Sequence, residues 1–203
     1  MHTQTKETQL ALTPQSVLEM MKEGNQRFLS KNMADRDHHQ QVKDTSTGQY
    51  PMAVVLSCID SRVPVEIVFD KGIGDIFSAR VAGNIVNVDM LGSMEYSCKV
   101  AGSKVVIVLG HTKCGAVTAA CKHTELGNIT ALLSKIMPAV DVLVKPDVEL
   151  TLEVIEEVVL LNVKNAIEQI RKDSPILKEM EENEEIIIVG AVYDVASGEV
   201  SYL

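Results

Sequence analysis

The sequence has few cysteines and few aromatic residues. Its 203 residues include no tryptophan, three phenylalanines, four tyrosines and four cysteines. A disulfide framework is the usual device of small secreted domains, and four cysteines in a chain of this length are too few for one. We therefore expect the cysteines to be reduced, and either buried or bound to a metal.

Positive charge and long apolar runs are also scarce. Acidic residues outnumber basic ones by 28 to 19, and the net charge of −9 would repel a nucleic-acid backbone. No apolar run reaches the ~20 residues that span a bilayer, and the first residues lack the apolar segment of a secretory signal. We expect no nucleic-acid partner, no membrane span and a cytoplasmic location, or a periplasmic one if a leader has been removed.

Hydrophobic residues make up 46% of the chain, which is enough for one domain over residues 1–203. Thr13 and Pro14 are typical of a helix start and predict a helix to about Leu29. A polar stretch follows it as far as Tyr50. We expect residues 1–50 to form an N-terminal helical arm that packs away from the main body, on a neighbouring subunit, and residues 51–203 to form an α/β core.

Three apolar runs predict strands that are buried on both faces, at Met52–Leu56, Ile76–Val81 and Lys104–Leu109. Helical segments are predicted between and after them, at Pro64–Phe69, at Met90–Ala101 and from about Cys114. This alternation indicates an α/β fold with a central, mostly parallel β-sheet flanked by helices. The later half predicts helices at Ile129–Val144, at Val148–Arg171 and after Ser174, a strand at Ile186–Val192 and a final extended segment at Val200–Tyr202.

Two short motifs follow directly on predicted strands. Cys58, Asp60 and Arg62 come after the first strand, and His111 and Cys114 come after the third. Ligands of open α/β sheets bind at the carboxyl ends of the strands, so the motifs meet if these strands are neighbours. Two thiolates and one imidazole suit Zn²⁺, and three protein ligands leave a fourth position for chemistry.

Simpler interpretations apply to several of these residues. Asp60 and Arg62 could form an ion pair that only orders the loop, although the desolvation cost favours a functional reason. Cys98 and Cys121 fall in apolar helical patterns and are expected to be buried, inert thiols. The acidic run 179–185 is expected to be a solvated surface. The histidines at positions 2, 38, 39 and 123 are only nominal candidates for a proton shuttle.

These motifs resemble those of the β-class carbonic anhydrases, whose signature is C-x-D-x-R followed by H-x-x-C. The similarity extends through Gly48–Pro51, Asp60–Pro64, Gly74–Phe77, Arg80–Asn84, Met94–Tyr96 and Gly110-His111. It is strong from Thr13 to Cys121 and weak at Gly190–Asp194.

The resemblance implies reversible hydration of carbon dioxide to bicarbonate and a proton, with one Zn²⁺ per chain bound by Cys58, His111 and Cys114. Zinc-bound hydroxide would attack CO₂. Asp60 would accept a hydrogen bond from that hydroxide, and Arg62 would hold Asp60 away from the metal and keep it ionised.

The same resemblance implies a substrate pocket. Gln49 and the backbone N–H of Gly115 would bind substrate oxygens, while Phe77, Ala82 and Tyr96 would form an apolar wall around CO₂. Because the family builds this pocket at a subunit interface, Phe77 and Tyr96 would serve the zinc of a partner chain. A homodimer or homotetramer is therefore expected.

One residue departs from a pattern of some bacterial members, in which a tryptophan, an arginine and a tyrosine bind an inhibitory bicarbonate. Arg80 and Tyr193 match that pattern, but Val55 replaces the tryptophan. The absence of the tryptophan favours a site in which Asp60 stays paired with Arg62. Two other functions remain open on the sequence: a hydrolase of the same fold acting on CS₂, and a non-catalytic zinc- or bicarbonate-binding protein.

Overall fold

A five-stranded β-sheet forms the centre of the protein in a computed structural model that describes residues 3–146 and 149–203. The strands are β1 (Ala53–Ser57), β2 (Ile76–Arg80), β3 (Val105–His111), β4 (Ile187–Tyr193) and β5 (Val200–Tyr202). Their order is β2-β1-β3-β4-β5; the first four are parallel, and β5 is antiparallel to β4. The predicted α/β class and mostly parallel sheet are confirmed.

Helices cover both faces of this sheet. The helices of the described residues are α1 (Lys6–Leu10), α2 (Pro14–Leu29), α3 (His38–Asp44), α4 (Val65–Val68), α5 (Val88–Glu95), α6 (Gly115–Cys121), α7 (Gly127–Leu133), α8 (Met137–Leu143), α9 (Leu152–Asp173) and α10 (Pro175–Glu182). A 3₁₀ turn at Ala82–Asn84 follows β2, and a π-helical turn at Tyr96–Val100 extends α5.

The side chains of β3 alternate between two cores, as the pleat of a strand requires. Val105, Ile107 and Leu109 point toward the core that contains residues of α2 and α4. Val106 and Val108 point toward the core that contains residues of α5, α9 and α10. All of β1 and β3 is buried, which explains why both strands appear in the sequence as continuous apolar runs.

Helix α2 packs on the sheet of its own chain. Its predicted start is confirmed, since the Thr13 side chain accepts a hydrogen bond from the Ser16 N–H and Pro14 is the first helical residue. However, Val17 and Met21 are fully buried in the core cluster of β1 and β3. The expectation that this helix packs away from the main body is therefore wrong, because its apolar side is used by the chain's own sheet.

The predicted helix Ile129–Val144 is also wrong as a single element. The structure contains α7 and α8 there, separated by a short turn, with a proline near the start of α8. Proline has no N–H to donate and is tolerated only in the first turn of a helix, so a continuous helix is interrupted there. Helix α9 begins at Leu152 after the Thr151 cap; its predicted start, Val148, lies outside the described residues.

Candidate metal centre

The two sequence motifs meet at the carboxyl edge of the sheet. Strands β1 and β3 are adjacent and parallel, with Ser57 paired to Leu109. Cys58 therefore follows β1 at the point where His111 ends β3, and Cys114 lies at the N-cap of α6. The expected adjacency of the two motifs is confirmed.

Cys58, His111 and Cys114 form one buried cluster. Each offers one ligand atom, and these atoms all lie within 4.8 Å of one another. The His111 side chain is fully buried, and the two cysteines are 4% and 1% exposed. Two sulfurs and one nitrogen gathered this closely are ligand types that zinc prefers.

The His111 ring is oriented so that it can act as a ligand. Its Nδ1 lies 2.9 Å from the Thr112 carbonyl oxygen. A carbonyl can only accept a hydrogen bond, so Nδ1 carries a proton, and in the neutral ring Nε2 carries the lone pair. Nε2 is buried and has no hydrogen-bond partner within the described part of the chain. An orphaned buried acceptor beside two thiols fits a bound cation.

The two thiols also fit a cation. The interaction between the two close thiols lowers the pKa of Cys58 and raises the pKa of Cys114 above its usual range. A zinc ion bound between the two sulfurs would stabilise both thiolates. The Gly83 N–H donates to the Cys58 sulfur at 3.3 Å, and this contact also favours the thiolate.

Asp60 and Arg62 form a bidentate ion pair beside this cluster. The Arg62 Nε donates to Asp60 Oδ1 at 2.9 Å, and Nη2 donates to Oδ2 at 2.7 Å. These bonds lower the pKa of Asp60 to about 2, so the carboxylate only accepts hydrogen bonds at neutral pH. Oδ2 lies 3.9 Å from His111 Nε2, which places the carboxylate next to the ligand atoms.

Arg80 supports the loop that carries Cys58. Its Nε donates to the Cys58 carbonyl oxygen at 3.0 Å, and its Nη2 donates to the Asp60 carbonyl oxygen at 2.6 Å. Val55 and Tyr193, the other two positions of the inhibitory bicarbonate pattern, are buried in the apolar core on the α2 side of the sheet. In this structure Arg80 thus holds the backbone around the first metal motif.

The predicted substrate residues are dispersed. Phe77 and Tyr96 touch edge to face, with ring centroids 6.3 Å apart, and line an open groove of about 740 Å³. Phe77 is paired with Val54, four residues before Cys58, which is roughly 13 Å along the strand. Gln49 and Gly115 are exposed and Ala82 is half-buried. One chain therefore assembles the metal cluster and the ion pair, but does not bring the two aromatic rings to them.

Sequence reasoning missed two supports from α9. Asn162 donates to the Gly83 carbonyl oxygen at 2.9 Å, and the Lys113 N–H donates to Glu156 Oε1 at 2.8 Å. The sequence could have indicated Asn162, because it is a polar residue within the apolar, buried stripe of α9. No sequence pattern indicates Glu156, since an acidic residue on a helix is ordinarily solvated.

Comparison with known proteins agrees with this geometry. A family model described as carbonic anhydrase matches residues 53–200. Carbonic anhydrase 2 of Mycobacterium tuberculosis is 40% identical over 120 residues, which span 57% of this chain and 56% of that protein. The carbonic anhydrase of Mycolicibacterium smegmatis is 31% identical over 193 residues, 92% of each chain. The chain therefore belongs to the carbonic anhydrase family, and the match covers little more than half the length of the M. tuberculosis relative.

A solved structure of the β class has the same fold as this chain. One of two tetrameric β-carbonic anhydrases from Sordaria macrospora superposes with a TM-score of 0.71 at 20% identity, over 92% of this chain and 96% of that one. The fold is that of the β class. Separately, no helix among the described residues combines the length and apolarity needed to cross a membrane.

Proposed function

We propose that this chain catalyses the reversible hydration of CO₂ to bicarbonate and a proton, with one Zn²⁺ bound by Cys58, His111 and Cys114. The main support is the buried S, N, S cluster beside the Asp60–Arg62 pair. Membership of the carbonic anhydrase family supports the reaction, and the unpartnered His111 Nε2 supports the metal. Zinc bound there would supply the Lewis acidity that lets water lose a proton near neutral pH.

Asp60 would orient the attacking oxygen. As a carboxylate it can only accept a hydrogen bond, so an O–H group that donates to it must direct a lone pair elsewhere, toward CO₂. Arg62 holds both carboxylate oxygens, and this contact keeps Asp60 ionised and would keep it from binding the metal. The pair would therefore orient the reacting oxygen and leave a fourth ligand position for it.

The substrate would be held by groups around this centre. Gln49 and the Gly115 N–H would donate to substrate oxygens, and Ala82 would leave apolar space beside the metal. Phe77 and Tyr96 would complete the apolar wall of a partner chain's site, in a homodimer or homotetramer. The open groove that carries both rings supports this arrangement, because Val88 and Tyr96 there are 78% and 54% exposed. The cytoplasmic location stays a prediction.

Stopped-flow measurement of CO₂ hydration tests the function. Protein loaded with one zinc ion per chain should accelerate the reaction, chelation should abolish the acceleration, and added zinc should restore it. A zinc-replete protein that leaves the uncatalysed rate unchanged would contradict the proposal and favour a binding protein of the same fold.

A further inference from the structure

The peptide group between Thr112 and Lys113 lies inside the second metal motif, between His111 and Cys114. Its two polar atoms are both held by side chains. The carbonyl oxygen of Thr112 accepts from His111 Nδ1 at 2.9 Å, and the N–H of Lys113 donates to Glu156 Oε1 at 2.8 Å. One peptide group therefore connects the carboxylate of Glu156 to the imidazole of His111.

The backbone at this point needs such support. Lys113 has a φ of +55°, in the left-handed region that residues with a Cβ rarely adopt. Conformations of this kind persist where the surroundings hold them. The carbonyl of Lys113 accepts from Arg62 Nη2 at 3.2 Å, so the following peptide group is held as well. Glu156 supplies the contact on the N-terminal side, from α9, 43 residues further along the chain.

The connection also has an electronic consequence. A side-chain oxygen that accepts from a peptide N–H polarises that peptide and makes its carbonyl oxygen a stronger acceptor. A stronger acceptor at Nδ1 fixes the ring orientation and raises the basicity of the other ring nitrogen, which is how partners of a histidine ligand tune a metal site. Here the carboxylate acts through one peptide group instead of touching the ring.

We propose that Glu156 is a positioning residue for the metal centre, acting through the Thr112–Lys113 peptide on His111. The inference rests on the proposed zinc site, because it assigns His111 Nε2 as a ligand. Glu156 itself contacts neither the three ligand atoms nor the groove. Its effect should therefore appear in zinc affinity and in the geometry of the bound metal as well as in turnover.

Three substitutions separate the hydrogen bond from the charge. Glu156→Gln keeps an oxygen acceptor at the same reach and removes the charge. Glu156→Asp keeps the charge and shortens the side chain by one methylene, and Glu156→Ala removes both. Glu157→Ala is the matched control, since Glu157 is the next residue of α9, is exposed and forms no side-chain hydrogen bond to the described residues.

Zinc affinity is measured on the full chain by competition with a chromophoric chelator at fixed pH. We expect Glu156→Ala to weaken zinc binding by about tenfold or more, the range known for partners of metal ligands. Glu156→Asp should bind zinc about as weakly as Glu156→Ala. The zinc affinity of Glu156→Gln should be close to that of wild type, and the zinc affinity of Glu157→Ala should equal that of wild type. The visible spectrum of the Co²⁺-substituted protein should change in the Ala and Asp variants only, which a general loss of stability would not produce.

Equal zinc affinities for Glu156→Ala and Glu157→Ala would overturn the proposal. Tighter binding by the Asp variant than by the Gln variant would also overturn it, because the charge and not the bond would then be responsible. If the Ala variant does not fold, the Gln and Asp variants decide by themselves. A wild-type protein that binds zinc but does not hydrate CO₂ would refute the proposed function and leave this inference standing, whereas failure to bind zinc would refute both.

Discussion

At the scale of single residues, the four cysteines differ in their surroundings. The sulfurs of Cys58 and Cys114 lie within 4.8 Å of each other and of a ring nitrogen of His111, and Cys58 also accepts a backbone hydrogen bond. Cys98 and Cys121 are buried among apolar side chains, and burial raises the pKa of both thiols, that of Cys98 to about 12. Only the first pair is placed to become thiolate ligands, and the expectation that the second pair is buried is confirmed.

Replacing Cys114 by Ala should therefore remove both zinc and activity, since a ligand lost from a three-ligand site has no local substitute. Cys121→Ala is the control in the same helix and should keep one zinc ion per chain. Elemental analysis and CO₂ hydration assays check both variants. Full zinc content in Cys114→Ala would remove this residue from the ligand set.

Asp60→Asn should keep zinc but lose activity by at least about tenfold. An amide can turn its NH₂ group toward the attacking oxygen, and it no longer pairs electrostatically with Arg62. Asp141→Asn, at an exposed position of α8, is the control and should behave as wild type. Metal content and turnover are measured on the same preparations, and near-normal turnover by zinc-replete Asp60→Asn would contradict the assigned role.

At the scale of elements, the contact between α2 and the segment after α4 is built from buried charges. Asp70 is fully buried and accepts from Arg27 and Arg36, and Lys71 donates to the Met20 carbonyl oxygen at 3.0 Å. Burial, followed by repulsion from Arg27, lowers the pKa of Lys71 to about 8, while Asp75 and Asp70 partly offset this. The α2 packing is therefore coupled to the protonation of one lysine.

The stability of this contact should rise with pH. Because the pKa of Lys71 is lower in the folded state than its usual 10.5, the unfolded chain binds more protons between about pH 8 and pH 10.5. The cost of burying the charged amine is present in full below pH 8 and disappears above that window. The free energy of unfolding of wild type should rise by up to about 3 kcal/mol between about pH 8 and pH 10.5, compared with that of Lys71→Met.

Urea unfolding at pH 7, 8, 9 and 10 measures this gain, with Lys71→Met correcting for every other group that titrates in the same range. If the difference in the free energy of unfolding between the two proteins stays constant with pH, Lys71 has an ordinary pKa. The packing of α2 would then not depend on the charge of Lys71.

At the scale of the whole molecule, the proposed substrate pocket would be completed by a second chain. The groove with Phe77 and Tyr96 is open, and Val88 stands 78% exposed at its edge as the first residue of α5. The metal cluster lies elsewhere, at the carboxyl ends of β1 and β3. Activity should therefore depend on association, while zinc binding should not.

Val88→Glu tests this dependence. A carboxylate is favourable in the first turn of a helix, so the fold of each chain should tolerate it, whereas a charge in an apolar interface is unfavourable. We expect sedimentation to show monomers that keep zinc and lose most of their CO₂ hydration activity. Val142→Glu, another exposed apolar position, should leave assembly unchanged. Fully active monomers would place Phe77 and Tyr96 outside the site.

The sequence alone determined the parallel sheet, the start of α2 and the meeting of Cys58 with His111 and Cys114. These follow from local patterns: continuous apolar runs, a Thr-Pro helix start, and ligand types placed directly after strands. Only the tertiary structure decided that α2 packs on its own sheet, that Arg80 holds the Cys58 and Asp60 carbonyls, and that Glu156 holds the Lys113 N–H. Bonds from a side chain to a distant backbone group leave no periodicity in the sequence, because any polar side chain can make them once the fold brings the two segments together.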